Sequence, residues 1–346
     1  MNSNFKLENL IRKNLKTLTP YSSARDEFSG TSSVFLDANE NPFDNGVNRY
    51  PDPQQWELKD RLSEIKNISA KQMILGNGSD EIIDLLMRAF CQPCEDKVIF
   101  CKPSYGMYKV AAQINDLRIA ELELDSNFQP NIELILQNND SKLLFLCSPN
   151  NPTGNLIDKK VLLRLLSEFK GVIVLDEAYI DFASDASMVK ELNRYPNLVI
   201  LQTLSKAWGM AGIRLGIGLA SVEIVEILKK IKSPYNVNIL TQNKALELLR
   251  FEETYQEKIN ILLEERKSIL NELKGLSFVK KVFPSQANFI LVRVENANIL
   301  YDFLIDNGIV IRNRTTLTLL ENCLRISIGT PEENQQLFKL LREFQD

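Results

Sequence analysis

The chain has 346 residues, 41 of them basic and 45 acidic, and it contains no histidine. A formal charge of −4 without any run of five or six like charges excludes a nucleic-acid tail and a polybasic membrane patch. The missing histidine excludes a Ser-His-Asp hydrolase and a His-ligated zinc enzyme, and leaves acid-base work to Lys, Asp, Glu, Tyr or Cys.

The opening MNSNFKLENL has no apolar signal core. The longest apolar runs are only of strand length, so no membrane partner and a cytoplasmic location are expected. Residues 1–45 read as an arm that packs on a C-terminal lobe. From about 70 to 235, apolar runs of strand length alternate with stretches of helical period, the signature of an α/β domain with a mostly parallel sheet. QMIL (72–75) is the first such run. It leads into GNGSDE, where Gly76 and Gly78 form a tight turn and Ser79 is read as the N-cap of the helix SDEIIDLLMRAF (79–90). KVIF (97–100), KLLFLC (142–147), GVIVLD (171–176), NLVILQ (197–202) and GIGLA (216–220) follow, with the helix DKKVLLRLLSEF (158–169) among them. Beyond KSPYNVN (232–238), charged helices cover about 240–274. FILVRV (289–294), GIVIRN (308–313) and CLRISIG (323–329) then indicate a small α+β lobe. The expected division is an arm at 1–45, a large domain at 46–238 and a small domain at 239–346.

In an open parallel sheet, ligands bind beyond the carboxyl ends of the strands. KLLFLC runs there into SPNNPTG, GVIVLD into EAYIDF, NLVILQ into TLSKAWG and QMIL into GNGSDE. Lys206 reads either as a surface residue or as an amine made nucleophilic by desolvation or a cationic neighbour. Asp176, at the end of a buried run, reads as a cap, an ion pair or the partner of a bound cation. Together they suggest pyridoxal phosphate, which has an aldehyde for the amine, a protonated ring nitrogen for the carboxylate and a phosphate for the helix start. Cys91, Cys94, Cys101, Cys147 and Cys323 are odd in number and fit a reducing compartment. Cys91 and Cys94 form C-x-x-C with no second pair at zinc spacing, and no metal is expected.

SPNNPTG, DEAYIDF, TLSKAWGMAGIRLG and LRISIGT resemble, in order and spacing, the fold-type-I pyridoxal-phosphate aminotransferases. LTPYSSARDE, LDANENPF, RYPDPQ, GNGSDEIIDLLMRAF, PSYGMY, KSPYNVN and SQANFILV narrow the resemblance to the branch that acts on histidinol phosphate. It runs from about residue 18 to 340. By it, Lys206 bonds the cofactor's aldehyde and moves the proton, Asp176 pairs with the pyridinium nitrogen, and Tyr179 and Asn151 hydrogen-bond the phenolic oxygen. Tyr105 stacks on the ring, and Gly78, Ser79, Asp80, Ser205 and Arg214 hold the phosphate. Tyr50 reaches the phosphate of the neighbouring subunit's cofactor, which implies a homodimer with shared sites. Arg325 clamps the α-carboxylate of glutamate. Arg312 and Tyr21 bind the distal phosphate of histidinol phosphate or the side-chain carboxylate of glutamate, and Asn39 lines the same pocket. The implied reaction converts histidinol phosphate and 2-oxoglutarate to imidazole-acetol phosphate and glutamate, in histidine biosynthesis. An aromatic-amino-acid aminotransferase and a threonine-phosphate decarboxylase are the alternatives on the same scaffold. Two stretches depart from the pattern: NRTTLTLLENC, between the two arginines, has less glycine than the family, and PCED replaces a proline-glycine pair.

Overall fold

The computed structural model describes residues 5–22 and 34–344. Seven strands form the larger sheet: β1 (Met73–Asn77), β2 (Lys97–Lys102), β3 (Arg118–Glu123), β4 (Leu143–Cys147), β5 (Val172–Asp176), β6 (Leu198–Thr203) and β7 (Leu215–Leu219), in the order β1-β7-β6-β5-β4-β2-β3. β3, β2, β4, β5 and β6 run parallel, and β7 runs against both β6 and β1. The expected mostly parallel sheet is therefore present, with one reversed strand.

The central strands LLFLC, VIVLD and LVILQT are buried at every residue, as strands covered by helices on both faces must be. Their two faces still differ. Leu143 and Phe145 join a core with the helices Gly78–Phe90, Met107–Ile114 and Val222–Ile231, while Leu144 and Leu146 join one with Trp56–Lys66 and Lys159–Glu168. The second core continues past residue 238, through Ala245 and Ile259, to Phe289 and Leu291, so the two lobes share apolar packing.

The smaller sheet is antiparallel, β10-β11-β9-β8, built from β8 (Val279–Val282), β9 (Phe289–Val294), β10 (Arg312–Asn313) and β11 (Cys323–Ser327). GIVIRN is mostly not a strand: only Arg312 and Asn313 pair, opposite Arg325 and Leu324, and Val310 is exposed.

Two further expectations are corrected. The described residues 5–22 do not pack on the small lobe. Phe5, Leu7, Leu10, Ile11 and Leu15 lie against the core formed by the helix Gly78–Phe90, and the Arg12 amide donates to the carbonyl of Ala89 at 3.0 Å. The amphipathic turns here bury their apolar side on the nearest helix of the large sheet. Ser79 is not the cap either. The helix begins at Gly78 with Asn77 as cap residue, and Glu81 Oε2 accepts from the backbone and side-chain nitrogens of Asn77.

Lys59, on the helix Trp56–Lys66, is 1% exposed, with Nζ 5.4 Å from the centre of the Trp56 ring. Burial first, and then Lys229 and Lys232, pull its pKa down to about 7. An ammonium buried in this way penalises folding fully below pH 7, and the penalty is lifted as pH rises toward the ordinary lysine value, because the unfolded chain then holds the extra proton. Lys59→Met is expected to stabilise the protein by roughly 2–4 kcal/mol at pH 7 and by almost nothing near pH 10. Urea unfolding at both pH values checks this; a destabilisation equal at both would refute it.

Candidate active site

The carboxyl ends of β1, β2, β4, β5 and β6 face the start of β7 along one edge of the large sheet, and the β10-β11 edge of the small sheet stands opposite. Between them is a cleft of about 580 Å³, lined among others by Gly78, Ser79, Asp80, Tyr105, Asn151, Asp176, Tyr179, Ser205, Lys206, Arg214, Arg312 and Arg325. Twelve of the residues singled out in the sequence thus meet in one place, drawn from segments more than 200 residues apart.

Asp176 ends β5 and is 3% exposed. Its carboxylate accepts from the Tyr108 hydroxyl at 2.6 Å and the Ala178 amide at 3.0 Å. Burial pushes its pKa up, against the pull of those two donors. Lys206 lies three residues past β6, with Nζ 5.6 Å from the centre of the Tyr179 ring. Burial first, then the charge of Arg325, lowers its pKa, so the neutral, nucleophilic amine is favoured. The Tyr179 hydroxyl accepts from Asn151 Nδ2 at 3.4 Å, and Asn151 Oδ1 accepts from the Arg325 guanidinium. Phe289 backs both partners, with its ring centre 5.1 Å from that of Tyr179 and 5.1 Å from the Arg325 guanidinium carbon.

At the other end of the cleft Gly78 opens its helix at φ +73°. Any Cβ there would come within 2.7 Å of the Arg214 guanidinium, and a Cβ on Gly216 would come within 2.2 Å of the Gly78 backbone. Only glycine at both positions lets β7 lie this close to the helix start. Asp80 accepts from the Tyr105 hydroxyl at 3.0 Å and faces Arg214 at 3.5 Å. The Thr203 and Ser205 hydroxyls are 3.0 Å apart. The Gly78 amide donates to the Arg214 carbonyl at 2.6 Å; the helix start with its dipole, the Arg214 guanidinium and the Ser205 hydroxyl together suit an anion, and Asp80 contacts both the arginine and the tyrosine.

Three expected residues lie elsewhere. Tyr50 is half exposed and stacks on Tyr235, ring centres 4.3 Å apart. It lines a separate cavity of about 510 Å³ together with Asn39 and Leu240. Tyr21 is 75% exposed. Conversely, the cleft contains residues that sequence reasoning missed. Arg314 follows Arg312 by one strand period, and Cys147 ends β4 opposite Asp176; their spacing was the available signal. Tyr108, fully buried, reaches the site only through its hydrogen bond to Asp176. The C-x-x-C cysteines are far from this edge: Cys91 is buried, Cys94 is exposed, and both are free.

Residues 29–341 match the family model for aminotransferase class I and II. The chain belongs to this family. The aminotransferase is 52% identical to the histidinol-phosphate aminotransferase of Parabacteroides distasonis over 97% of this chain and 98% of the relative. It is 52% identical to that of Flavobacterium psychrophilum over 98% and 99%. Among solved structures, the histidinol-phosphate aminotransferase of Clostridium acetobutylicum superposes with a TM-score of 0.79 at 30% identity, covering 86% of this chain and 90% of that one. The fold is thus fold-type-I, and the cofactor is pyridoxal phosphate. The cleft fits that group on its own chemistry. A carboxylate buried without an ion-pair partner among the described residues faces an amine of lowered pKa, and a glycine-lined helix start stands ready for a phosphate. No helix among the described residues is long and apolar enough to cross a membrane.

Proposed function

We propose that this aminotransferase moves the amino group of L-histidinol phosphate to 2-oxoglutarate, giving imidazole-acetol phosphate and L-glutamate in histidine biosynthesis. The observation that carries the reading is the wall of arginines facing Lys206. Arg312, Arg314 and Arg325 line the cleft, and none has a carboxylate partner among the described residues. Substrates with an anion at the end away from the amine answer that charge, and the names of the relatives point the same way.

Bound here, pyridoxal phosphate supplies an aldehyde that exchanges amines and a ring that takes up the electrons of the adjacent carbon. Asp176 holds the ring nitrogen protonated; a cation set against its buried carboxylate reverses the upward pKa shift. Tyr179 and Asn151 orient the ring's phenolic oxygen. Lys206 Nζ would take the proton from the amine-bearing carbon of the substrate and pass it to the carbon of the cofactor's former aldehyde group, and would carry it the opposite way in the half-reaction with 2-oxoglutarate. Ser79, Ser205, Arg214 and the helix start at Gly78 fix the phosphate, and Tyr105 covers the ring. Arg325 receives the α-carboxylate of glutamate as a bidentate fork, and Arg312 receives the distal phosphate or carboxylate.

Histidinol phosphate has no α-carboxylate, so the two arginines are used unequally. Arg312→Gln is expected to slow both half-reactions roughly 100-fold or more, because a desolvated anion loses its partner. Arg325→Gln is expected to fall on the glutamate half-reaction. Stopped-flow measurement of each half-reaction tests this, and equal losses for both substrates in both variants would sink the division of labour.

Tyr50, Asn39 and Tyr21 belong, in this reading, to the cleft of a second copy, which makes the enzyme a cytoplasmic homodimer. A hybrid dimer of one Tyr50→Ala and one Lys206→Ala subunit then has one site free of both lesions, and its activity is half that of wild type. A contact within one chain would instead give half the activity of the Tyr50→Ala enzyme.

A further inference from the structure

We propose that Arg314 is a specificity residue of this cleft, and that with Arg312 it selects a phosphate dianion over a carboxylate at the distal end of the amine donor. The inference rests on the reading of histidinol phosphate as that donor.

Its geometry follows from the short β10-β11 ladder. Arg312 pairs with Arg325 and Asn313 with Leu324, and the Arg314 amide donates to the carbonyl of Cys323 at 2.9 Å. The pairing therefore extends one residue beyond the strand. With a side-chain period of two, Arg312 and Arg314 share a face. Asn313 turns away, its Nδ2 donating to Asn298 at 2.7 Å, while both arginines line the cleft. The departure noted in the sequence, NRTTLTLLENC, now has a role. Where glycines would loosen the connection, Leu317 and Leu320 pack on the core, and the amides of Leu317, Leu320 and Cys323 close successive turns from the Arg314 carbonyl onward. The backbone carrying Arg314 is pinned.

The side chain is not satisfied by the protein. Arg314 Nε is buried with no hydrogen-bond partner, as is Arg325 Nε. Burial first, then Arg325 and Arg312, bring the Arg314 pKa down to about 10. Three guanidiniums gathered with no described carboxylate among them call for an anion larger than two carboxylates. Each carboxylate of 2-oxoglutarate has two oxygens, which one guanidinium fork fills, so Arg325 and Arg312 suffice for that substrate. A phosphate monoester has three terminal oxygens and a second charge, and it can accept from two forks at once. Arg314 is the second fork.

The test compares histidinol phosphate, unphosphorylated histidinol and 2-oxoglutarate as substrates of the holoenzyme, in wild type, Arg314→Gln and Arg314→Lys. Arg314→Gln is expected to shrink the ratio of kcat/KM for histidinol phosphate over histidinol roughly 10–100-fold, the worth of one charge-assisted contact. KM for 2-oxoglutarate should change less than about threefold. Arg314→Lys keeps the charge but not the fork and should lie between the two. An unchanged ratio, or a parallel loss on all three substrates in both variants, overturns the assignment. Wild-type protein inactive on histidinol phosphate would overturn the substrate reading, and the inference with it.

Discussion

Lys206→Ala is expected to lower turnover by at least about four orders of magnitude, while leaving a folded protein that still holds the cofactor. The argument is one of position. The amine lies in a cleft where burial and Arg325 both favour its neutral form, and no histidine exists in the chain to replace it as a base. The anion site proposed at Gly78, Ser205 and Arg214 and the carboxylate of Asp176 do not depend on Lys206, so the variant should keep its noncovalent contacts. Borohydride, which fixes the cofactor to the wild-type chain, should fix none to the variant. A variant still labelled at another lysine would show that the covalent site is elsewhere.

Asp176→Asn should have the next largest effect, roughly two to four orders of magnitude in the chemical step with a smaller loss of cofactor affinity. A neutral amide of the same shape can still accept from the Ala178 amide through its oxygen and donate to the Tyr108 hydroxyl through its nitrogen, but it cannot hold a proton on the ring nitrogen. Because burial already raises the carboxyl pKa, removing the charge should leave the apoprotein at least as stable to heat. Single-turnover rates and melting of the apoprotein separate the two effects. Intact single-turnover rates would reduce Asp176 to a structural role.

The strands that build the site were the easiest part to read, since β4, β5 and β6 are apolar throughout and end at the residues that carry chemistry. β3 was not read at all. RIAELE mixes charged and apolar residues without strict alternation at the sheet edge, where Glu121 and Glu123 pair with Lys109 and Lys102, and such a segment looks like part of a helix. The first stretch of the arm, up to Leu15, was misplaced because Leu7, Leu10, Ile11 and Leu15 mark an apolar face without saying which lobe covers it. Tyr108 was invisible as a polar group: a fully buried tyrosine has the sequence signature of a core aromatic, and only the Asp176 carboxylate 2.6 Å from its hydroxyl shows otherwise. Tyr50, Asn39 and Tyr21 rest on motifs alone, because no spacing along one chain predicts a residue proposed to serve a neighbour's site.

The measurement that tests the central claim most directly is a comparison of histidinol phosphate, phenylalanine and threonine phosphate as substrates of the purified protein, with 2-oxoglutarate as acceptor. The account predicts glutamate formed in step with imidazole-acetol phosphate, with kcat/KM highest for histidinol phosphate by at least about tenfold, as expected where distal arginines lie in a desolvated cleft. A higher kcat/KM for phenylalanine, or carbon dioxide released from threonine phosphate without any need for 2-oxoglutarate, would contradict it.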